Sequence, residues 1–245
     1  MALFTMADLH LSVSTNKKMD VFGSRWQGYT DKIVKNWRQV VTDTDTVVVG
    51  GDISWGMNFK EAQQDFELLN SLPGKKLLLK GNHDFWWDTA TKCHKFFEEN
   101  GWDTLELLFN NAFVVEDFIV CGTRGWFLEK EQQLTVGEVD YEKISNRELL
   151  RLRATLNAAR QLQVGEHADK EILVFLHFPP VWGEFYSHKM LEEMRAFGVK
   201  RCYFGHIHGN YTASPKTTVE GLSLHLVSSD FLNFTPLAVK PIDKA

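Results

Sequence analysis

The 245-residue sequence predicts an α/β fold built on a mixed sheet system. Three observations predict it. Short apolar runs alternate with amphipathic stretches through the first hundred residues, and two later runs, residues 113–115 and 118–121, look antiparallel. The apolar runs also end, one after another, in clusters of Asp, Asn and His. Ligands of open α/β sheets bind beyond the carboxyl ends of the strands, so these clusters are expected to meet on one face.

Residues 2–6 are apolar and lead to Asp8 and His10. Residues 11–28 have no clear period, carry Gly23 and Gly28, and read as a loop able to lie over the site. A helix is expected with Thr30 as N-cap and with Ile33, Trp37, Val40 and Val41 on one face. Residues 47–49 are β-branched throughout, the pattern of a strand buried on both faces, and end at Gly51-Asp52. Asn58 with Glu61 three residues on forms a capping arrangement for a second helix, which buries Phe59, Ala62, Phe66 and Leu69 and stops before Pro73-Gly74. Residues 77–79 form the next strand and end at Gly81-Asn82-His83-Asp84. Asp88 is the expected cap of a third helix that terminates at Asn100-Gly101.

Beyond the antiparallel-looking pair come a polar segment over residues 129–141 and a helix through Leu149, Leu152, Leu156 and Ala159. The run 172–176 ends in His177, and 202–204 ends in Gly205-His206-Ile207-His208. Leu222, Leu224 and Leu226 alternate with Ser223, His225 and Val227, which predicts another strand. No repeat, low-complexity tract or linker interrupts the chain, so residues 1–245 are expected to form a single domain.

Composition narrows the function. Hydrophobic residues make up 44%, enough for a sizeable core, and the formal net charge is −5, which leaves no basic footprint for duplex DNA or an anionic membrane. No apolar stretch approaches the ~20 residues of a membrane helix. Cys93, Cys121 and Cys202 are odd in number and widely spaced, which reads as reduced core thiols and a cytoplasmic location, with no leader expected before Asp8.

His and Asp suit divalent first-row metals, and Asn adds a neutral oxygen. Asp8, His10, Asp52, Asn82, His177, His206 and His208 are too many for one ion with an open position, so two ions are implied, with one carboxylate between them. A pair of ions ~3.5–4 Å apart acidifies water and clamps the attacking and leaving oxygens of a phosphoryl centre. Hydrolysis of a phosphate ester is the natural use.

These blocks, Asp8-Leu9-His10, Gly51-Asp52, Gly81-Asn82-His83-Asp84, His177 and Gly205-His206-Ile207-His208, resemble the five signature blocks of the calcineurin-like metallophosphoesterases and span residues 8 to 208. The resemblance implies a four-layer αββα sandwich with two mixed sheets and a dinuclear site at the strand ends. It implies Asp8, His10 and His208 on the first metal, Asn82, His177 and His206 on the second, and Asp52 as the bridge. It also implies that His83 contacts the phosphate or protonates the leaving oxygen, with Asp84 orienting its ring. The metals would be drawn from Mn, Fe, Zn, Co and Ni. Gly51, Gly81 and Gly205 are expected to allow tight turns or positive φ where ligands come close.

Departures from the family pattern bear on substrate. Its phosphoprotein phosphatases carry an Asp-Arg-Gly after the bridging block and Glu after Asn-His, whereas this chain reads Asp52-Ile53-Ser54-Trp55 and His83-Asp84. The missing arginine favours a phosphodiester of a small molecule, cleaved by a metal-bridging hydroxide. The alternatives are a phosphomonoesterase, and a non-catalytic interaction module that kept the fold. Arg124, between Gly122 and Gly125 at another strand end, is a candidate to hold a non-bridging phosphate oxygen; pairing with a carboxylate such as Glu129 is the structural alternative. His94, His167, His188 and His225 read as structural. Trp55, Trp86, Trp126 and Trp182 each follow a strand-ending loop and are candidates for an aromatic rim, although Phe85, Trp86 and Trp87 equally suit helix packing.

Overall fold

Two sheets stack through their side chains, and the alternation of each strand decides which of three apolar layers a residue enters. The structure is a computed structural model describing residues 1–15, 17, 19–126 and 141–241. The first sheet has the order β13-β1-β2-β3-β4, with β1 (Leu3–Met6), β2 (Thr46–Val49), β3 (Lys75–Leu78) and β4 (Leu105–Leu107) parallel and β13 (Leu237–Val239) antiparallel at one edge. The second has the order β11-β12-β10-β7-β6-β5. Its parallel strands are β6 (Phe118–Thr123), β7 (Glu171–Leu176), β10 (Arg201–Phe204) and β12 (Leu222–Leu226), flanked by antiparallel β5 (Ala112–Val115) and β11 (Lys216–Val219).

On β6, Phe118 and Val120 enter the layer between the sheets, while Ile119 and Cys121 enter an outer one. On β2, Val48 faces inward and Val47 and Val49 outward. That is the period of two expected of strands covered on both faces. The first outer layer is closed by α1 (Tyr29–Val40), α2 (Phe59–Asn70) and α3 (Ala90–Glu99), the second by α4 (Tyr141–Leu162) and α5 (His188–Ala196). The result is an αββα sandwich with two mixed sheets. A small hairpin, β8 (Val181–Trp182) and β9 (Phe185–Tyr186), lies outside both sheets.

Local chemistry explains most boundaries. Asn58 caps α2 as expected: its side chain accepts from the Glu61 amide at 3.1 Å and donates to the Glu61 carboxylate at 3.0 Å. Two caps differ from the sequence expectation. Helix α1 is preceded by Gly28 in the left-handed region, not capped by Thr30, because Tyr29 is drawn inside, where its hydroxyl donates to the His10 carbonyl at 2.5 Å. Helix α3 is capped by Thr89, whose hydroxyl accepts from the Lys92 amide, while Asp88 pairs with the Lys92 ammonium at 2.7 Å. Strand β4 carries the unremarkable sequence Leu105-Glu106-Leu107 and exists because β3 offers it a parallel edge. The polar segment expected over residues 129–141 lies outside the described residues, apart from Tyr141 at the start of α4.

Cys93, Cys121 and Cys202 are buried and unpaired, and burial pushes each thiol upward, Cys121 to about 12. None of the described helices is long and apolar enough to cross a membrane.

Candidate metal centre

The strand ends of both sheets meet where β1 leaves its sheet. The amide of Ala7 donates to the Val227 carbonyl at 2.8 Å and Ala7 bridges Ser228, so the end of β1 is stitched to the chain leaving β12. Asp8 and His10 follow β1, Asp52 follows β2, Asn82 and His83 follow β3, His177 follows β7, and His206 and His208 follow β10. Five strands from two sheets thus converge, where a single sheet could present only some of these groups.

The backbone at these positions is unusual. Asp8 (φ 61°), His10 (φ 46°), Asp52 (φ 52°) and His206 (φ 70°) all occupy the left-handed region without being glycine. Each such residue costs about 1 kcal/mol or more and persists only where the surroundings enforce it. Here the enforcement is a set of hydrogen bonds between strand ends: Asp8 N to the Gly51 carbonyl, His10 N to the Asp52 carbonyl, both at 2.9 Å, and His206 N to the Asp8 carboxylate at 2.9 Å. Gly51 takes positive φ as expected, but Gly81 and Gly205 do not. Gly81 is required for close approach instead, because a Cβ there would collide with the backbone nitrogen and carboxylate of Asp52.

Two sets of donors result. Asp8, His10 and His208 present ligand atoms within 4.8 Å of one another, and so do Asp52, His177 and His206. Asn82 joins the second set, its Oδ1 lying 2.7 Å from His177 Nε2. Asp52 stands between the sets, with Oδ2 3.8 Å from His10 Nε2 and 3.5 Å from His177 Nε2. His10 Nε2 and His208 Nε2 approach to 3.2 Å, two nitrogens aimed at one point.

The free faces of the rings are set from behind. His177 Nδ1 faces the Gly50 carbonyl at 3.1 Å and His208 Nδ1 faces the Asp230 carboxylate at 2.9 Å, which leaves Nε2 of each ring toward the centre. Such outer partners fix the tautomer of a metal-binding histidine and raise its basicity. Asp230 was not singled out from the sequence. It lies just beyond β12 in Ser228-Ser229-Asp230, fully buried, and its other oxygen accepts from the Gly209 amide at 3.0 Å. A polar triplet at the end of an apolar strand was the available signal.

Burial sets the electrostatics. Asp8, His10, Asp52 and His177 are almost inaccessible. Burial pushes Asp8 up to about 7, although His208 pulls the other way, and it pushes Asp52 upward as well. His177 is held down at about 3 by burial, and His10 and His206 are also lowered by it. His208 rises to about 9 because Asp8, Asp230 and Asp52 outweigh its burial. Carboxylates raised by burial, three imidazoles held neutral by it and a fourth, His208, that would give up its proton to a cation make a donor set that lacks its compensating charge and fits a pair of metal ions.

One expected role is corrected. Asp84 does not orient the His83 ring. Its carboxylate, fully buried, accepts from the amides of Gly81 (2.7 Å), Asp52 (2.8 Å), Ile53 (2.8 Å) and Ser54 (3.3 Å) and from the Trp86 indole (2.8 Å). These donors face it because the turns after β2 and β3 wrap around it. Asp84 is therefore a clamp on the loop carrying Asp52. Burial and the Asp52 charge nevertheless hold it up at about 6.

His83 is placed by other contacts. Its amide donates to Asp52 Oδ1 at 2.8 Å, and its half-buried ring packs on Trp55 with centroids 4.5 Å apart. Trp55 also stacks on His10 at 4.9 Å. Described residues of the 11–28 segment do lie against the site, since Trp26 meets the rings of His10 and His208 and Lys17 sits over Trp55. The other rim candidates are elsewhere: Trp86 is in the first outer core, Trp182 packs on Phe204 in the second, and Trp126 packs on Phe178. Phe178, which the sequence reading passed over, meets the rings of His177 and His206. Exposed Phe85 meets the edge of the His83 ring, exposed Met57 lies by Lys17, and exposed Tyr211 lies under Arg25.

The calcineurin-like phosphoesterase family profile matches residues 1–210, most of the chain. The chain belongs to the calcineurin-like phosphoesterases. No curated protein matches it. Among solved structures it is similar to AQ665 of Aquifex aeolicus, a protein of unknown function, at 14% identity and TM-score 0.51, covering 97% of this chain and 95% of that one. It is also similar to TT1561 of Thermus thermophilus, at 9% identity and TM-score 0.57, covering 97% of each. At these identities the likeness speaks for the fold. For this calcineurin-like phosphoesterase, family and fold agree with the two donor sets found at the strand ends.

Proposed function

We propose that this chain is a two-metal hydrolase of small-molecule phosphodiesters. The observation that carries the reading is the placement of Asp52 between two donor sets, each completed by side chains from a different sheet. Asp8, His10 and His208 would hold one ion, Asn82, His177 and His206 the other, and Asp52 would bridge. Two ions held there supply Lewis acidity and water acidified toward neutral pH. The protein's own groups supply the rest. Gly50 and Asp230 lock the tautomers of His177 and His208, Asp84 holds the Asp52 turn, and Trp55 keeps water from the faces of His10 and His83. His83 donates a ring N–H to the phosphoryl or leaving oxygen.

Preference for diesters is supported by the residues after Asp52: Ile53 and Ser54 are buried and Trp55 is aromatic, so no guanidinium stands there for a monoester dianion. Trp55 and Phe85 beside the His83 ring suit a flat or apolar leaving group. A cytoplasmic location is part of the same reading, supported by three buried, unpaired thiols.

Two measurements test it. Elemental analysis of metal-replete protein should give two ions per chain, and chelation should lower Tm because the ions bind only the folded chain. A single tetrahedral ion would contradict the assignment. Turnover of bis(p-nitrophenyl) phosphate should exceed that of p-nitrophenyl phosphate, and a monoester kcat/KM more than about tenfold higher would make the protein a phosphomonoesterase instead.

A further inference from the structure

Arg124 lies at the end of β6, beside the metal centre, and its carbonyl accepts the amides of His177 (3.1 Å) and Phe178 (2.9 Å). Its guanidinium is one of three gathered on a single carboxylate. Glu148 of α4 has no exposed side-chain surface, and its Oε1 lies 2.7 Å from Arg151 Nη1, 3.5 Å from Arg124 Nη2 and 3.6 Å from Arg147 Nε. Its Oε2 accepts from the Thr123 hydroxyl at 3.2 Å. The shortest contact is a strong charge-assisted hydrogen bond, the Arg124 bond is long and weak, and Arg147 approaches only as an ion pair.

Donors are therefore left over. Arg124 Nε is buried with no partner among the described residues, while 17% of the Arg124 side chain, 30% of Arg151 and 52% of Arg147 remain reachable by solvent. Three guanidiniums thus face one buried carboxylate on the His177 side of the centre. A cluster built only to neutralise Glu148 would need one of them.

Resting on the phosphodiesterase reading, we propose that Arg124, Arg147 and Arg151 form a subsite for a second anionic group of the substrate, a phosphate on the portion that is not the leaving group. Planar guanidiniums offer paired N–H donors that match a phosphate, and such pairs are strong where water is partly excluded. The substrate would then be a phosphodiester carrying an additional phosphate, and Arg124 would serve that phosphate in preference to the scissile one.

The test uses the metal-replete protein and two probes that differ by one phosphate, thymidine 5′-phosphate and thymidine 3′,5′-bisphosphate, with Kd measured by calorimetry. The bisphosphate should bind about tenfold more tightly, with an advantage that shrinks as salt is raised. In Arg147→Gln/Arg151→Gln the advantage should fall to within about twofold, whereas Arg160→Gln, at the far end of α4 against Gln163, should keep it. If the double variant does not fold, Arg147→Gln alone, at an exposed position, should reduce it. Equal affinities in the wild type, or an advantage that survives these variants and high salt, would overturn the proposal. Failure of the phosphodiesterase reading would show separately, as no turnover of bis(p-nitrophenyl) phosphate, and would leave this binding comparison intact.

Discussion

Replacing His83 with alanine should lower kcat about 10²–10⁴-fold while leaving metal content at the wild-type level. His83 makes no contribution to either donor set, yet its backbone amide is bonded to Asp52 and its ring packs on Trp55 beside His10. The ring is held next to the centre without being consumed by it, which is the position of a group that serves substrate. Burial lowers its basicity, partly countered by the Asp52 charge, so the ring is neutral near pH 7 and its N–H is available as a donor. The variant keeps the amide that binds Asp52, so the donor sets should stay intact. Elemental analysis alongside steady-state kinetics separates the outcomes. Loss of metal would make His83 a ligand, and an unchanged kcat would remove it from the reaction.

Asp84→Ala should act differently, destabilising the fold by about 3–5 kcal/mol and depleting the metal. The carboxylate is the common acceptor of four amides and one indole, none of which can reach bulk water in the native turn. Removing it leaves several buried donors unpaired and releases the left-handed Asp52 from one of the bonds that hold it. Asp84→Asn should recover little, because its amide group would turn two further donors toward donors. Urea unfolding and metal analysis check this. If Asp84 oriented the His83 ring instead, the asparagine variant would keep wild-type stability and metal and lose only kcat.

The contrast between these neighbouring residues shows what a sequence can and cannot say. Two adjacent polar residues after an apolar run read alike, because the sequence reports their type and their distance from a strand end. The strand end aims His83 outward and Asp84 inward, and only the packed turns after β2 and β3 supply the five donors that define the second role.

The order of strands and helices, the alternation that sorts β2, β6 and β7 into inner and outer layers, and the donor types at the strand ends are all local. The sequence by itself therefore determined the α/β class and the chemistry of Asp8, His10, Asp52, Asn82, His177, His206 and His208. Local patterns also predicted the Asn58 cap, since its partner Glu61 is three residues away. What tertiary structure decided is everything whose partner is distant in the chain. Asp230 reaches His208 across 22 residues, and Arg124 meets Glu148 across 24, while Glu129, the carboxylate expected for it, lies outside the described residues. Strand β4 formed on an edge that β3 provided, and Tyr29 moved the start of α1 by finding the His10 carbonyl. The left-handed turns at Asp8, His10, Asp52 and His206 have no local cause, because these residues avoid that region on their own. Hydrogen bonds between strand ends, available only once both sheets are stacked, hold them there and bring the two donor sets together.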